Sequence, residues 1–226
     1  MTRPLALIRP EPGWSMSAAA ARASGLEVLG HPLFAAEPLA WTLPEGEFDA
    51  LLIGSAAVFD HGGAQLADLR PLPVHAVGET TAEAARAAGF SVARTGTGGM
   101  QALIDASAGR QARYLRLGGE ERVPLAPHPG QSLSECAVYS MVPRAIDAEF
   151  ADALSAHHPL VALHSAAAAR HFAREVDRLG LARGGLFLLA LGPRVAKAAG
   201  LGWAAVHLAD TPSDAALLAK AAPLCK

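Results

Sequence analysis

The sequence predicts an α/β protein: two similar parallel-sheet domains, one inserted in the other and joined by a two-stranded linker. Three observations predict it. First, apolar runs of four to six residues alternate with helical stretches, as in "LALI" (5–8) and "LFLLALG" (186–192). Continuous apolar strands separated by helices belong to parallel sheets covered on both faces. Second, a segment repeats. At a constant offset of 114, residues 76–104 match 190–218 at nine of 29 positions, and "GSAAV" (54–58) faces "HSAAA" (164–168) at an offset of 110. Five of the nine matches are alanine, so the shared order of elements, not identity, marks one unit used twice. Third, the second copy starts only near 145, whereas an extra strand–helix–strand, residues 5–34, precedes the first.

The elements follow in order. "LALI" is a buried strand, "MSAAAARASG" (16–25) a helix stopped by Gly25, and "LEVLGHPLF" (26–34) a strand. "DALLIGSAAV" (49–58) is a strand opening into a helix at Ser55. "PVHAVG" (73–78) is a strand before the helix 80–88, where Thr80-x-x-Glu83 fits a capping box. "FSVAR" (90–94) is a strand, "MQALIDA" (100–106) a helix, "ARYLRLGG" (112–119) a strand ending in glycines and "CAVYSMVP" (136–143) extended. The pattern then restarts with the helix "FADALSAH" (150–157) and the strand "PLVALHS" (159–165). The helix 166–180 ends at a glycine, and "LFLLALG", "RVAKAAG" (194–200), "AAVHLA" (204–209) and "DAALLAKAA" (214–222) alternate strand and helix. The N-terminal unit closes the count by joining the C-terminal copy. That gives a discontinuous domain, 1–34 plus 145–226, and an inserted domain, 39–138. Residues 35–38 and 139–144 are extended, proline-flanked linkers that can pair as a hinge.

Composition excludes several classes. The 226 residues are 51% hydrophobic and only 5% aromatic, with 19 basic and 21 acidic side chains. Neither a nucleic-acid surface nor a base-stacking platform is expected from these numbers. The two cysteines, Cys136 and Cys225, lack CxxC spacing, which reads as a reduced, cytoplasmic chain. The apolar run near the N-terminus is too short for a signal peptide, and no stretch reaches the length of a membrane span. "HHPLVALH" (157–164) and His171 show neither HxxxH nor HExxH, so no metal is expected. No GxGxxG or GxxxxGK[ST] motif occurs.

What remains are strand-to-helix turns, where free backbone N–H groups bind anions. They lie at Ser55-Ala56-Ala57, Gly78 to Thr81, Ser165-Ala166-Ala167 and Gly192 to Val195. Helix capping alone is the competing reading for Ser55, Thr80 and Ser165. Arg9, Arg116 and Arg122 are carboxylate partners in one reading, and solvated or locally paired side chains in the other.

The ordered set of motifs resembles the uroporphyrinogen-III synthase family over nearly the whole chain. It comprises "LIRP", "HPLFAAEPL", "DALLIGSAAV", "VHAVGETTAEAARAAGFSV", "YLRLGGEER", "CAVYSMVP", "VALHSAAAARHF", "LLALGPRVAKAAGLGW" and "DTPSDAALLAKA". The resemblance implies two flavodoxin-like domains and a monomeric enzyme without cofactor or metal. It would close hydroxymethylbilane, a linear tetrapyrrole, to uroporphyrinogen III with inversion of ring D and loss of water, in a cleft between the domains. It further implies Tyr139, in the family's "VY" motif, as proton donor to the leaving hydroxyl. A ring packed under the hinge is the alternative for that tyrosine. Substrate-binding positions would be Arg9, Ser55, Ala56, Gly78, Thr80, Thr81, Arg116, Gly118, Ser165, Ala166, Gly192 and Arg194. The chain departs from the family at Arg194 and Val195, where many relatives carry threonines, and at Gly54 and His164, which precede the serines of the SAA turns. These departures keep open a non-catalytic binding or interaction protein on the same scaffold. A flavodoxin-like cofactor binder is a third reading.

Overall fold

A computed structural model of the chain describes residues 3–226; the first two residues of the expected discontinuous domain lie outside the described residues. The chain divides into two compact units, one running to Ala35 and resuming at Val142–Lys226, the other Ala36–Met141.

The first unit opens with β1 (Leu5–Leu7), α1 (Gly13–Ala23) and β2 (Val28–Leu29). The single strand expected at 26–34 is two. Gly30, at φ +88°, ends β2, and a Cβ there would lie 2.6 Å from the Leu7 carbonyl oxygen. β3 (Phe34–Pro38) then leads into the second unit. There β4 (Ala50–Ile53), α2 (Ala57–His61), β5 (Val74–Val77), α3 (Glu79–Ala87), β6 (Val92–Gly96), α4 (Gly99–Asp105), β7 (Ala112–Gly119) and β8 (Gln131–Pro143) follow. The chain returns through α5 (Ala148–His157), β9 (Leu160–Leu163), α6 (Ala166–Arg178), β10 (Phe187–Ala190), α7 (Pro193–Ala199), β11 (Ala205–Leu208) and α8 (Asp214–Leu224). A 3-10 turn, Ala64–Leu69, lies where no element was expected.

The sheet of the first unit has the order β11-β10-β9-β1-β2, with every pair parallel. Its strands alternate between two buried layers. Ala6, Ile8, Val161, Leu163 and Leu188 pack with α5 to α7, whereas Leu5, Leu7, Leu160, Ala162 and Leu189 pack with α1 and α8. Burial on both faces is why these strands read as unbroken apolar runs.

The second sheet has the order β3-β8-β7-β4-β5-β6, parallel from β8 to β6. Backbone bonds from Leu39 N–H to the Val138 carbonyl and from Arg144 N–H to the Leu33 carbonyl run β3 antiparallel to β8. Leu51, Ile53, Val74 and Leu115 pack under α2 and α3; on the other face Leu52 and Tyr114 pack against Ile104 of α4. The connection from β7 to β8, residues 120–130, contains no helix. Arg116 holds it by donating from Nη1 to the Val123 carbonyl at 2.8 Å.

Each sheet reverses its winding once. The chain leaves β1 toward β2 on one side, and leaves β9 toward β10 on the other; β4 and β7 have the same relation in the second sheet. Open α/β sheets bind ligands at the carboxyl ends of the strands flanking such a switch point. In the first sheet these ends lead to Arg9 and His164, in the second to Gly54 and Glu120.

Candidate active site

The expected site residues gather on the carboxyl-end rims of the two sheets, with Arg116 set back on its strand. On the rim of the second unit, β4 runs out at Ile53, and Ser55 Oγ accepts from Ala57 N–H at 3.3 Å. α2 opens at Ala57, two residues later than expected, with Ala56 at the N-cap. β5 runs into Gly78, whose φ of 81° and ψ of 151° suit glycine alone and bring its N–H within 2.8 Å of the Gly96 carbonyl.

Because Gly78 is the N-cap and α3 starts at Glu79, the expected capping box of Thr80 and Glu83 does not form. The two threonines also part company. Thr80 is exposed, whereas Thr81 is 5% exposed and packs inward with Ala82 and Ala85. The N–H groups of Glu79, Thr80 and Thr81 belong to the first turn and have no acceptor within the helix.

A bulge between Gly118 and Gly119 shifts the register of β7 on β8 and sets Gly119 opposite Tyr139. The Tyr139 ring lies against Gly119, 6.2 Å from the His61 ring, in the apolar layer under α2 and α3. Arg116 is 7% exposed and paired with Glu135 at 2.7 Å. Arg122 stands next to Gly118, and its buried Nη1 has no hydrogen-bond partner among the described residues. Of the two arginines, Arg122 retains the greater capacity for a carboxylate.

On the rim of the first unit, Ser165 caps α6 by accepting from Ala168 N–H at 3.1 Å, and Ala166 is the first residue of that helix. Gly192 is extended at the N-cap of α7, with Pro193 at the first helical position. Arg194 is exposed and forms no ion pair among the described residues, whereas Val195 is 7% exposed and belongs to the core. The departure at Val195 is therefore a packing choice, matching the inward position of Thr81 in the other copy.

Reading the chain residue by residue missed a polar cluster on this rim. Arg9 Nη1 donates to Ser17 Oγ at 2.8 Å and lies 3.2 Å from Asp214 Oδ1. Ser17 Oγ donates to Asp214 Oδ2, and His164 Nε2 to Asp214 Oδ1, each at 2.8 Å. Burial pushes the His164 imidazole below its usual range, as does the Arg9 charge, against the upward pull of Asp214. Burial works to raise the Asp214 pKa, but the Ser17 and His164 donors and the Arg9 charge keep it lowered. The cluster is neutral in sum: one guanidinium, one carboxylate and an uncharged imidazole whose Nε2–H faces the carboxylate. The signal that could have found it is the repeat, since Asp214 stands 114 residues from Met100 and His164 stands 110 from Gly54.

His158 and His171 are engaged separately. His158 Nδ1 lies 3.0 Å from the Gly185 carbonyl, and His171 Nε2 donates to the Arg144 carbonyl at 2.7 Å. Among the described residues no group of His, Cys, Asp or Glu side chains converges as a metal site would. No helix among them is long and apolar enough to cross a membrane.

The family model of uroporphyrinogen-III synthase HemD matches residues 15–219, a span that includes Tyr139, His164 and Asp214. The chain belongs to the uroporphyrinogen-III synthase family. Its fold agrees: the crystal structure of uroporphyrinogen-III synthetase from Helicobacter pylori superposes with a TM-score of 0.67 at 19% identity, over 98% of this chain and 99% of that one. Wild-type uroporphyrinogen III synthase from Thermus thermophilus aligns over 97% of each chain at 17% identity, with a TM-score of 0.43. A mutant of it aligns over 99% of this chain and all of that one, also at 17% identity, with a TM-score of 0.48. A comparison with curated protein sequences gave no significant match.

Proposed function

We propose that the chain is a working uroporphyrinogen-III synthase, closing hydroxymethylbilane to uroporphyrinogen III with inversion of ring D and loss of water. The observation that carries this reading is the family match across both units. Of the departures that favoured a non-catalytic scaffold, Val195 is accounted for by core packing.

Tyr139 is assigned as general acid. Its phenol gives a proton to the substrate hydroxyl, the C–O bond breaks with its electron pair, and water departs. A pyrrole nitrogen lone pair fills the gap, leaving a cationic azafulvene. Ring D attacks the azafulvene through the carbon that carries its bridge to ring C, forming a spiro species. The bond from that carbon to the bridge then breaks, the ring C nitrogen lone pair holds the resulting cation, and ring D re-bonds to the bridge through its free α carbon, inverted. The proton lost from carbon as the macrocycle closes restores the phenol. A phenol is a modest acid, sufficient because the electron-rich pyrrole assists departure. Most of the catalysis is orientation of the reacting carbons.

The substrate's peripheral carboxylates are assigned to the open first turns of α3 and α6, with Gly78, Thr80, Ser165 and Ala166 nearby. The exposed guanidinium of Arg194, presented by the Gly192 turn, adds a charge-assisted contact. Ser55, Ala56 and Gly118 shape the second rim around Tyr139, and Arg116 supports it from below. Thr81 acts through packing, and Arg9 through Asp214. We read the protein as a cytoplasmic monomer, a reading supported by two buried cysteines left as free thiols.

The test is incubation with freshly made hydroxymethylbilane and resolution of the product isomers. Uroporphyrinogen III in excess over the enzyme-free control supports the reading; a product mixture equal to that control overturns it.

A further inference from the structure

Resting on that reading, we infer that Asp214 is a further substrate-binding residue. Its carboxylate, held by Arg9, Ser17 and His164 at the switch point of the first sheet, accepts a hydrogen bond from an inward-facing pyrrole N–H of the tetrapyrrole.

Place is the first ground. Arg9 follows β1 and His164 follows β9, the adjacent strands at which the winding of this sheet reverses. Asp214, in the first turn of α8, bridges both residues, so its carboxylate lies over the carboxyl ends of that strand pair. Its partner His164 directly precedes Ser165, the N-cap of α6.

Orientation is the second. Both oxygens are engaged, Oδ1 by His164 and Arg9, Oδ2 by Ser17. Three donors from three elements fix the carboxylate plane, yet the side chain remains 34% exposed and Oδ2, bonded to Ser17 alone, has acceptor capacity left. His164 is nine-tenths buried, so the donor that orients Oδ1 is itself fixed by packing.

The third ground is an internal control. The repeat places Met100 where Asp214 stands, and Gly54 where His164 stands. There the pair is apolar and close: a Cβ on Gly54 would lie 2.8 Å from Met100 Cε. The fold thus builds this turn without a charge, and the ionic cluster belongs to the first rim specifically.

Substrate chemistry fits a single carboxylate here. The acidic side chains of a linear tetrapyrrole lie on its periphery and suit amide and guanidinium donors. Its inner edge presents only pyrrole N–H donors and becomes positively charged when water departs. A fixed carboxylate repels the periphery, attracts the inner edge and stabilises the cationic azafulvene.

The decisive experiment compares the parent with Asp214→Asn in turnover, KM, product isomer share and melting temperature. The side chain keeps its size and loses its charge. The expected result is a kcat lower by about a hundredfold, with a reduced share of isomer III and a melting temperature within a few degrees of the parent. A folded Asp214→Asn variant with kcat and isomer share unchanged overturns the inference. Should that variant not fold, Asp214→Glu preserves the charge and displaces it by one methylene. A lowered isomer III share then supports the inference, and an unchanged share overturns it. A parent protein that forms no isomer III overturns the synthase reading itself, so the two failures are distinguishable.

Discussion

A side chain on Gly119 would occupy the place of the Tyr139 ring: a Cβ there falls 2.9 Å from Cε2 and 3.3 Å from the hydroxyl oxygen. Bulged pairing of β7 with β8 sets the two residues opposite each other, and the Tyr139 carbonyl accepts from Glu120 N–H at 2.9 Å. The phenol is held by its backbone and by the absence of a side chain across from it. Its hydroxyl makes no hydrogen bond among the described residues.

Replacing Tyr139 by Phe retains the ring and removes the proton. Turnover is expected to fall about a hundredfold, the lower end of general acid catalysis, with KM nearly unchanged. Gly119→Ala keeps the hydroxyl and displaces the ring, costing about 1–3 kcal/mol of stability from overpacking and lowering turnover as well. Steady-state kinetics and urea unfolding on both variants separate the effects. Full activity in Tyr139→Phe would sink the acid role while leaving the family assignment intact.

Ser165 and Thr80 each stand at a strand-to-helix turn and differ in what holds them. Ser165 accepts from Ala168 N–H, so Ser165→Ala is expected to cost about 1 kcal/mol, the usual value of an N-cap. Thr80 is exposed and caps nothing, so Thr80→Ala should change stability by less than about 0.5 kcal/mol. A raised KM in Thr80→Ala would then report substrate contact. Equal losses of stability in the two variants would contradict the assignment of the caps.

The fold was legible because both sheets bury both faces: Leu5 to Ile8 and Leu51 to Ile53 are fully buried and appear as uninterrupted apolar runs. The helix-free path from β7 to β8 was not legible, since its anchor is the long-range contact of Arg116 with the Val123 carbonyl and Glu135. The capping box was misread because Thr80 and Glu83 have the right spacing, and only the left-handed φ of Gly78 shows where the helix begins. The rims were legible as turns following strands. The cluster on Asp214 draws on four elements far apart in sequence, and only the offset of the repeat links Asp214 to Met100.

Glu175 gives a pH test on a different part of the molecule. It accepts from Arg178 Nη2 at 2.7 Å and from Ile146 N–H at 2.8 Å, fastening the segment after β8 to α6. The Arg178 hydrogen bonds hold its carboxyl well below its ordinary 4.5, at about 2, despite the opposing effect of burial. A carboxyl depressed in the folded state stabilises above its unfolded pKa, and that stability is lost as pH falls through the window from 4.5 toward about 2. Glu175→Gln should therefore be less stable than the parent at about pH 7 and closer to it at about pH 3. Urea midpoints at the two pH values check this; a constant gap would show that the charge of Glu175 contributes nothing.

Arg194 and Val195 replace residues that the other copy carries as Thr80 and Thr81, and the structure divides the pair into one outward and one inward position. Val195 is buried in the core, so Val195→Thr adds a hydroxyl to an apolar layer. A loss of about 1–3 kcal/mol is expected, with turnover per folded molecule unchanged. Arg194 is exposed and unpaired among the described residues, so Arg194→Ala should leave urea stability within about 0.5 kcal/mol. If Arg194 clamps a substrate carboxylate, KM rises about tenfold, the loss of one charge-assisted hydrogen bond of roughly 1.4 kcal/mol, and the rise shrinks as salt screens the exposed charge. Lys at 194 restores the charge without the planar fork, so a partial rescue separates charge from bidentate geometry. A KM unmoved in Arg194→Ala would place the second-copy turn outside substrate binding and leave α6 as the anion-binding element of its rim.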